Sequence, residues 1–211
     1  MSSTKKGLFI VFEGGDSVGK STQVRMLVAW LQEQQIAYRH THEPGDTWLG
    51  AEIRRLVLEH ASGDVAPWAE ALLYAADKAQ HLYEVVRPAL AAGEVVVCDR
   101  YVDSMLAYQG AGRVLDLEQV RQVARWATDG LRPDLTVLLD ADPAEAVESI
   151  RDKDRLESAG AEFHRRARAH FLALAADDPD RYLVLPARDT REAIAHSVQC
   201  RVSDLLKGLR L

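Results

Sequence analysis

The stretch Gly14-Gly15-Asp16-Ser17-Val18-Gly19-Lys20-Ser21 decides the fold of this chain. It matches the pattern GxxxxGK[ST], in which glycines and a helix N-terminus turn backbone N–H groups toward phosphate oxygens. The pattern requires a strand before it and a helix after it. Leu8–Phe12 is an apolar run of strand length, and an apolar stripe at helical spacing runs from Val24 to Leu31. We therefore expect an α/β chain of the P-loop NTPase fold, with a phosphate-binding loop after its first strand.

The residue types in this loop each have a chemical reason. Lys20 is expected to reach the β- and γ-phosphates, and the Ser21 hydroxyl is expected to bind Mg²⁺. A Gly-rich tight turn with a surface lysine is the alternative, but it does not explain the strand and the helix on either side. The predicted ATP-binding residues are Gly14, Gly15, Asp16, Ser17, Val18, Gly19, Lys20, Ser21 and Thr22.

Strand-like runs alternate with helical segments along the rest of the chain. Pro67 and Pro143 occupy first-turn positions of helices, the latter after Asp142 as a predicted N-cap. This alternation predicts parallel βαβ crossovers, and hence a five-stranded parallel sheet with helices on both faces. We find no linker or repeat and expect a single domain over residues 1–211. The four further predicted strands are Ile36–Thr41, Glu94–Cys98, Leu135–Asp140 and Tyr182–Leu185.

Composition excludes several classes of protein. The chain has 211 residues, 47% of them hydrophobic, and a formal net charge of −6, which gives no basic surface for DNA or RNA. Its two cysteines, Cys98 and Cys200, match no metal motif and suit a reducing compartment. No apolar run approaches the length of about 20 residues that crosses a bilayer. We expect a cytoplasmic protein without a membrane partner, whose anionic ligand is held by a local cluster of Arg and Lys.

The predicted strand Glu94–Cys98 is followed directly by two charged residues, Asp99 and Arg100. Because parallel strands end at one edge of the sheet, both residues are expected beside Lys20 and Ser21. Asp99 is then a candidate for ordering Mg²⁺, and Arg100 for clamping a second phosphate. A plain surface ion pair is the alternative. The guanine-reading tetrapeptide Asn-Lys-x-Asp is missing from the sequence, which counts against a GTPase.

The stretch that follows resembles a known family. Residues 99–113, DRYVDSMLAYQGAGR, are similar to the DRYxxSxxAYQGxGR segment of bacterial thymidylate kinases. Three further blocks occur in that family's order, at residues 43–54, 72–81 and 154–157, and the likeness spans residues 7–186. The resemblance implies the reaction of ATP with dTMP to give ADP and dTDP, with Mg²⁺ as cofactor. It also implies a homodimer, since helices commonly form such an interface in this family.

The resemblance implies roles for residues around the acceptor nucleotide. Arg54 and Arg100 would bind the dTMP phosphate, and Asp16 would lie near the sugar 3′-hydroxyl and the attacking phosphate. Tyr108 would pack under the deoxyribose, and Gln109 would lie at the thymine ring. The implied dTMP-binding residues are Glu43, Arg54, Tyr74, Lys78, Arg100, Ser104, Tyr108, Gln109 and Glu157.

The charged stretch Arg151–Glu157, RDKDRLE, has two interpretations. Composition alone favours a solvated helix end or loop, whereas the resemblance implies a lid over ATP at about residues 151–158. Ser17 stands where some family members carry a catalytic arginine, so the lid must supply one. Arg155 is the candidate, assisted by Arg151 or Lys153, and Arg151 is also counted among the ATP-binding residues. The implied catalytic residues are Asp16, Lys20, Arg100 and Arg155.

Some features leave alternatives open. Lys78 stands where many members have an arginine that donates to the thymine carbonyl, and a lysine is a point charge in place of a planar fork. A kinase of dUMP or of another pyrimidine monophosphate is therefore the alternative. A nucleotide-binding regulator is a second alternative, but it would need no acceptor pocket. Trp126, on a predicted helix with Val120 and Ala124, is expected to be a packing residue.

Overall fold

A five-stranded, entirely parallel sheet forms the centre of the molecule, in the strand order β2-β3-β1-β4-β5. The structure is a computed structural model and describes residues 7–59, 63–144 and 154–209. β1 is central because it pairs with both β3 and β4. The strands are β1 (Leu8–Gly14), β2 (Tyr38–His42), β3 (Val95–Asp99), β4 (Leu135–Asp140) and β5 (Tyr182–Pro186).

Helices connect the strands. The helix that begins at Pro67 continues through a π-helical stretch, Leu82–Val86, into the next helix, and the helix that begins at Val102 continues through a second one, Leu106–Gly112. A 3₁₀ turn, Glu157–Ala159, precedes the helix that begins at Ala161. The α-helices are α1 (Lys20–Glu33), α2 (Trp48–Leu58), α3 (Pro67–His81), α4 (Arg87–Ala91), α5 (Val102–Met105), α6 (Leu117–Thr128), α7 (Ala161–Asp177) and α8 (Arg191–Leu209).

The alternation of side chains along β1 divides the core between the two faces of the sheet. Ile10 and Phe12 pack in one cluster with residues of α1 and α8, such as Leu27 and Ile194. Phe9 and Val11 pack in another with residues of the α3–α4 region and Tyr101. Helices therefore cover both faces, as the sequence predicted.

The register brings the chemistry-bearing strand ends together. Phe12 pairs with Asp99, and Gly14 pairs with Leu139. The loop after β1 and the charged end of β3 consequently lie side by side. This is the crevice at the carboxyl edge of the sheet where parallel α/β proteins bind ligands.

The sequence-based boundaries are close to the observed ones, with small shifts. β2 begins at Tyr38 and ends at His42, later than the predicted Ile36–Thr41. Pro67 is confirmed as a first-turn residue of α3. Asp142 accepts a hydrogen bond from the Ala144 N–H at 2.9 Å, as an N-cap does, but residues 145–153 lie outside the described part of the chain.

Trp126 corrects the sequence-based expectation. It was expected to be a packing residue, but within the single chain its side chain on α6 is 85% exposed, because Val120, Ala124 and Thr128 form the buried side of that helix. Among the described residues, no helix combines the length and the apolar character needed to cross a membrane.

Candidate active site

The loop between β1 and α1 has the backbone geometry that phosphate binding requires. Gly14 has a φ of 132°, and a Cβ there would lie 2.3 Å from the Leu139 carbonyl oxygen, so only glycine fits. Gly19, at φ 95°, leads directly into the first turn of α1. The loop therefore opens onto a helix N-terminus, which favours an anion.

Lys20 lies across this loop and is buried. Its Nζ donates to the Gly14 carbonyl at 3.2 Å and also to the Gly15 carbonyl. Burial first, and then the neighbouring Arg100, lower the pKa of Lys20 to about 8. Asp16 and Asp99 act in the opposite direction. The charged form of Lys20 is thus disfavoured in the free site, and a bound anion such as phosphate would stabilise it.

Ser21 and Asp99 meet at the start of α1. The Ser21 hydroxyl donates to Asp99 Oδ2 at 2.9 Å, so a hard oxygen ligand from the first turn of α1 lies next to one from the end of β3. Mg²⁺ is usually held by one or two such protein oxygens together with substrate phosphates. The residues present therefore fit the cofactor that the sequence implied.

Arg100 joins the phosphate loop to the rest of the crevice. It has a φ of 69°, a conformation that is strained for a non-glycine residue and is held by a 2.9 Å bond from its N–H to the Phe12 carbonyl. Its Nη1 donates to the Gly14 carbonyl at 3.0 Å and to the Ser104 hydroxyl at 3.1 Å, and its Nη2 pairs with Asp16. The guanidinium is thus fixed beside the loop.

Asp16 and Tyr108 complete this cluster. The Tyr108 hydroxyl lies 3.4 Å from Asp16 Oδ2, and its ring stacks on Phe163 with centroids 5.8 Å apart. Burial opposes ionisation of Asp16, but Arg100 and then Lys20 lower its pKa overall. Asp16 is therefore a carboxylate held between two cations.

Glu13 is a functional residue that the sequence reasoning missed. It is buried at the end of β1 and accepts hydrogen bonds from the N–H groups of Tyr101 and Ser104 at 2.8 and 3.1 Å. Its other oxygen accepts from the Ser104 hydroxyl at 2.6 Å. Glu13 thereby fixes the turn that carries Arg100. The signal was an ionisable residue at the end of an otherwise apolar strand.

Glu43 and Lys78 form a buried pair in the crevice wall. Lys78 Nζ donates to Glu43 Oε2 at 2.6 Å, and His81 Nδ1 lies 2.7 Å from Glu43 Oε1. Burial is overcome by Lys78 and His81, which lower the pKa of Glu43, and Glu43 in turn raises the pKa of Lys78. Lys78 lines the crevice, but its ammonium group is paired with Glu43. The hydrogen bond to a base carbonyl that the sequence implied for Lys78 stays a prediction.

Glu70 forms a second buried cluster, which the sequence reasoning also missed. Its carboxylate accepts from Gln109, from Arg113 and from Arg155 Nη2, the last at 2.5 Å. Arg155 Nε also donates to the Val57 carbonyl at 2.9 Å. Arg155 is therefore held here, outside the crevice lining, and its implied catalytic role stays a prediction. The signal for Glu70 was its position one turn before Tyr74, on the same face of α3.

Fourteen of the predicted site residues line one crevice of about 500 Å³. This size suits a small ligand. Arg54 Nη1 donates to the Pro44 carbonyl at 2.9 Å at its margin. Arg151 and Lys153 lie outside the described residues. The predicted site residues that line the crevice are Asp16, Ser17, Lys20, Ser21, Glu43, Arg54, Tyr74, Lys78, Asp99, Arg100, Ser104, Tyr108, Gln109 and Glu157.

Comparison with known proteins gives a consistent result. The sequence profile of the family described as thymidylate kinase matches residues 12–198. A thymidylate kinase of Cutibacterium acnes is 60% identical over 200 residues, which cover 95% of this chain and 98% of that protein. A thymidylate kinase of Leifsonia xyli is 56% identical over 204 residues, which cover 95% of this chain and 96% of that protein.

A solved structure agrees with the sequence comparison. The crystal structure of thymidylate kinase from Ehrlichia chaffeensis superposes with a TM-score of 0.77 at 28% sequence identity. The superposition covers 94% of this chain and 99% of that one. The likeness therefore extends over the sheet, its helices and the crevice together.

Proposed function

This chain belongs to the thymidylate kinase family, and from that premise we propose that it transfers the γ-phosphoryl group of ATP to dTMP, giving ADP and dTDP. One observation carries the proposal. Arg100 binds the Gly14 carbonyl of the phosphate loop and Asp16 at the same time. A cation for the acceptor phosphate is thus fixed directly against the cradle of the donor phosphates.

On the donor side, the loop N–H groups and Lys20 would hold the ATP phosphates. When bound beside Ser21 and Asp99, Mg²⁺ would neutralise charge on the β- and γ-phosphates. Phosphoryl transfer asks for little covalent chemistry, so positioning and charge neutralisation supply most of the catalysis. The rigid contacts of Lys20 and Arg100 with the loop meet that requirement.

On the acceptor side, Arg100 and Arg54 would hold the dTMP phosphate in line with the γ-phosphate. Asp16 would face the sugar, and the Tyr108 ring, fixed by its stack on Phe163, would lie where a 2′-hydroxyl collides. Tyr74 and Gln109 line the same crevice and would contact the base. An acceptor side of this kind would distinguish a kinase from a nucleotide-binding regulator, which needs no acceptor pocket.

We also propose that the protein is a homodimer. The helices α2, α3 and α6 pack side by side, and each exposes large apolar side chains. Such a set of exposed apolar residues is typical of a protein interface. The exposed side chains are Trp48 and Leu56 on α2, Leu72 on α3 and Trp126 on α6.

We also propose that the reaction takes place in the cytoplasm. The free thiols of Cys98 and Cys200 suit such a reducing compartment.

A coupled ADP-release assay with dTMP, dUMP, UMP and CMP tests the proposed reaction. We expect dTMP to stimulate ADP release most, and Arg100→Ala to lower kcat/KM for dTMP by about a hundredfold or more. Arg121→Ala, which removes an exposed pair with Glu118, is the matched control and should behave as wild type. Stimulation by none of the four nucleotides would refute the kinase.

The same assay tests the alternative acceptor. Lys78 already donates a hydrogen bond to Glu43. It would therefore offer fewer N–H donors to the base than the arginine that many family members carry at this position. The thymine methyl alone provides only about 10 to 200-fold discrimination. A preference for dUMP would make this a dUMP kinase. Lys78→Arg shows whether a planar fork at this position changes the preference.

A further inference from the structure

Glu70 is surrounded by hydrogen-bond donors and has no exposure to solvent. Gln109 Nε2 donates to its Oε1 at 3.0 Å. Arg113 donates through Nε and Nη2 at 3.2 and 3.1 Å, and Arg155 Nη2 lies 2.5 Å from Oε2. Three of the four hydrogen bonds to the carboxylate therefore come from guanidinium groups. The fourth comes from Gln109, which is the one neutral donor in this set.

That contact determines how the Gln109 amide is turned. An ionised carboxylate only accepts hydrogen bonds, so the NH₂ end of the amide must face Glu70. The opposite orientation would place the amide carbonyl against a carboxylate. Gln109 is only 2% exposed, so water does not compensate for a wrong orientation. The carbonyl oxygen Oε1 is then the end that is left for the crevice, which Gln109 lines.

The orientation of this amide matters for the base. Thymine and uracil carry one N–H donor on the ring, N3–H, whereas cytosine presents a lone pair at the same ring position. We infer that Glu70 is a positioning residue that turns the Gln109 carbonyl toward the base and thereby selects a pyrimidine with an N3–H over cytosine. This inference rests on the proposed function, because it places the base against Gln109.

The test compares dTMP and dCMP as acceptors in the wild type and in Glu70→Gln. A glutamine at position 70 can donate or accept, so the Gln109 amide becomes free to turn. We expect the ratio of kcat/KM for dTMP to that for dCMP to fall by about tenfold or more, mainly through a gain with dCMP. Release of Arg155 would change turnover with both nucleotides alike, so the ratio isolates the effect on Gln109.

Arg113→Lys is the matched control. It disturbs the same carboxylate and the stacking of Arg113 over the Phe163 ring, at 5.1 Å, but leaves the bond between Glu70 and Gln109. Its ratio should equal that of the wild type. An unchanged ratio in Glu70→Gln would overturn the inference, as would an equal loss of selectivity in Arg113→Lys.

Two measurements remain decisive if Glu70→Gln does not fold. The double variant Glu70→Gln/Arg113→Gln removes one charge of each sign and should show the same fall in the ratio. In the wild type labelled with ¹⁵N-glutamine, the side-chain protons of Gln109 should exchange with D₂O far more slowly than those of the exposed Gln32. Fast exchange would show that the contact with Glu70 does not form, which overturns the inference. Failure of the proposed function is distinguishable, because the wild type would then release no ADP with dTMP.

Discussion

At the scale of single residues, the state of Lys20 depends on what occupies the phosphate loop. Its pKa is lowered to about 8 by burial and by Arg100. ATP phosphates bring negative charge to the Nζ and raise this pKa again. As the pH rises, the free protein is therefore expected to lose the charge of Lys20 at a lower pH than the complex does.

This coupling predicts proton uptake on ATP binding. At about pH 8.5 we expect a net uptake of protons at Lys20 on ATP binding, and at about pH 6.5 almost none there, because the lysine is already charged. Titration calorimetry in buffers of different ionisation enthalpy measures the uptake. Lys20→Arg is the control, since arginine keeps its proton at both pH values. Equal uptake in wild type and control at pH 8.5 would contradict the prediction.

Lys78 gives a prediction about stability. Its Nζ is 2.6 Å from Glu43 Oε2, and both side chains are almost fully buried, at 3% and 1% exposure. Lys78→Met leaves the Glu43 charge without its main partner, so we expect a loss of about 3 to 5 kcal/mol in the free energy of unfolding. Urea denaturation at neutral pH measures it. The double variant Lys78→Met/Glu43→Gln should recover part of the loss; a double variant no more stable than the single one would show that the charge is not the cause.

Residues differ in how far the sequence predicts them. Lys20, Ser21 and Arg100 could be placed because a loop pattern or a strand end fixes their position in the chain. Glu70 and Glu13 could not, because each acts through partners more than thirty residues away, which only the packing of helices and strands reveals. For the same reason the sequence identified Lys78 as a crevice residue but did not show that its charge goes to Glu43.

At the scale of elements, the sheet was the most predictable part of the fold. All five strands were predicted, and β1, β3 and β4, which are buried along nearly their whole length, come from largely apolar runs. The edge strand β2 reads YRHTH and was predicted from a run with the β-branched residues Ile36 and Thr41 at its ends. The two π-helical stretches that extend α3 and α5 were not, because periodicity over so few residues does not separate them from an α-helix. The second of them carries Tyr108 and Gln109, so the irregular element forms part of the crevice wall.

The role that the sequence implies for Arg155 depends on movement of this side chain. Arg155 is held by Glu70 and by the Val57 carbonyl, and a role at the transferring phosphoryl group requires it to leave both. We expect Arg155→Ala to lower kcat by about 10³-fold while changing the KM for dTMP little, and Arg155→Lys to retain part of the activity. Steady-state kinetics and thermal unfolding are measured on the same samples. Near-normal kcat together with a lowered Tm would assign Arg155 to Glu70 alone and leave the phosphoryl role to another lid cation.

At the scale of the whole molecule, charge is distributed unevenly. The chain has a net charge of −6, whereas the crevice lining is balanced: its basic residues include Lys20, Arg54 and Arg100, and its acidic residues include Asp16 and Asp99. A negative surface disfavours extended polyanions, whereas a local cation cluster still binds a small phosphate. The same contrast explains why composition argued against a nucleic-acid partner but could not locate the nucleotide site.

The exposed apolar helices give the last prediction. An aspartate or glutamate at the centre of an apolar interface is expensive to bury without a partner, so Leu72→Glu on α3 should dissociate a dimer formed through α2, α3 and α6. Leu72 is 53% exposed in the single chain, so this substitution should leave the folded monomer intact. Sedimentation velocity should give twice the 23.4 kDa chain mass for the wild type and a single chain mass for Leu72→Glu. Val184→Glu, at a 44% exposed position on β5, introduces the same charge away from those helices and should stay dimeric. A wild type that sediments as a monomer, or a Val184→Glu variant that dissociates as fully as Leu72→Glu, would contradict an interface on these three helices.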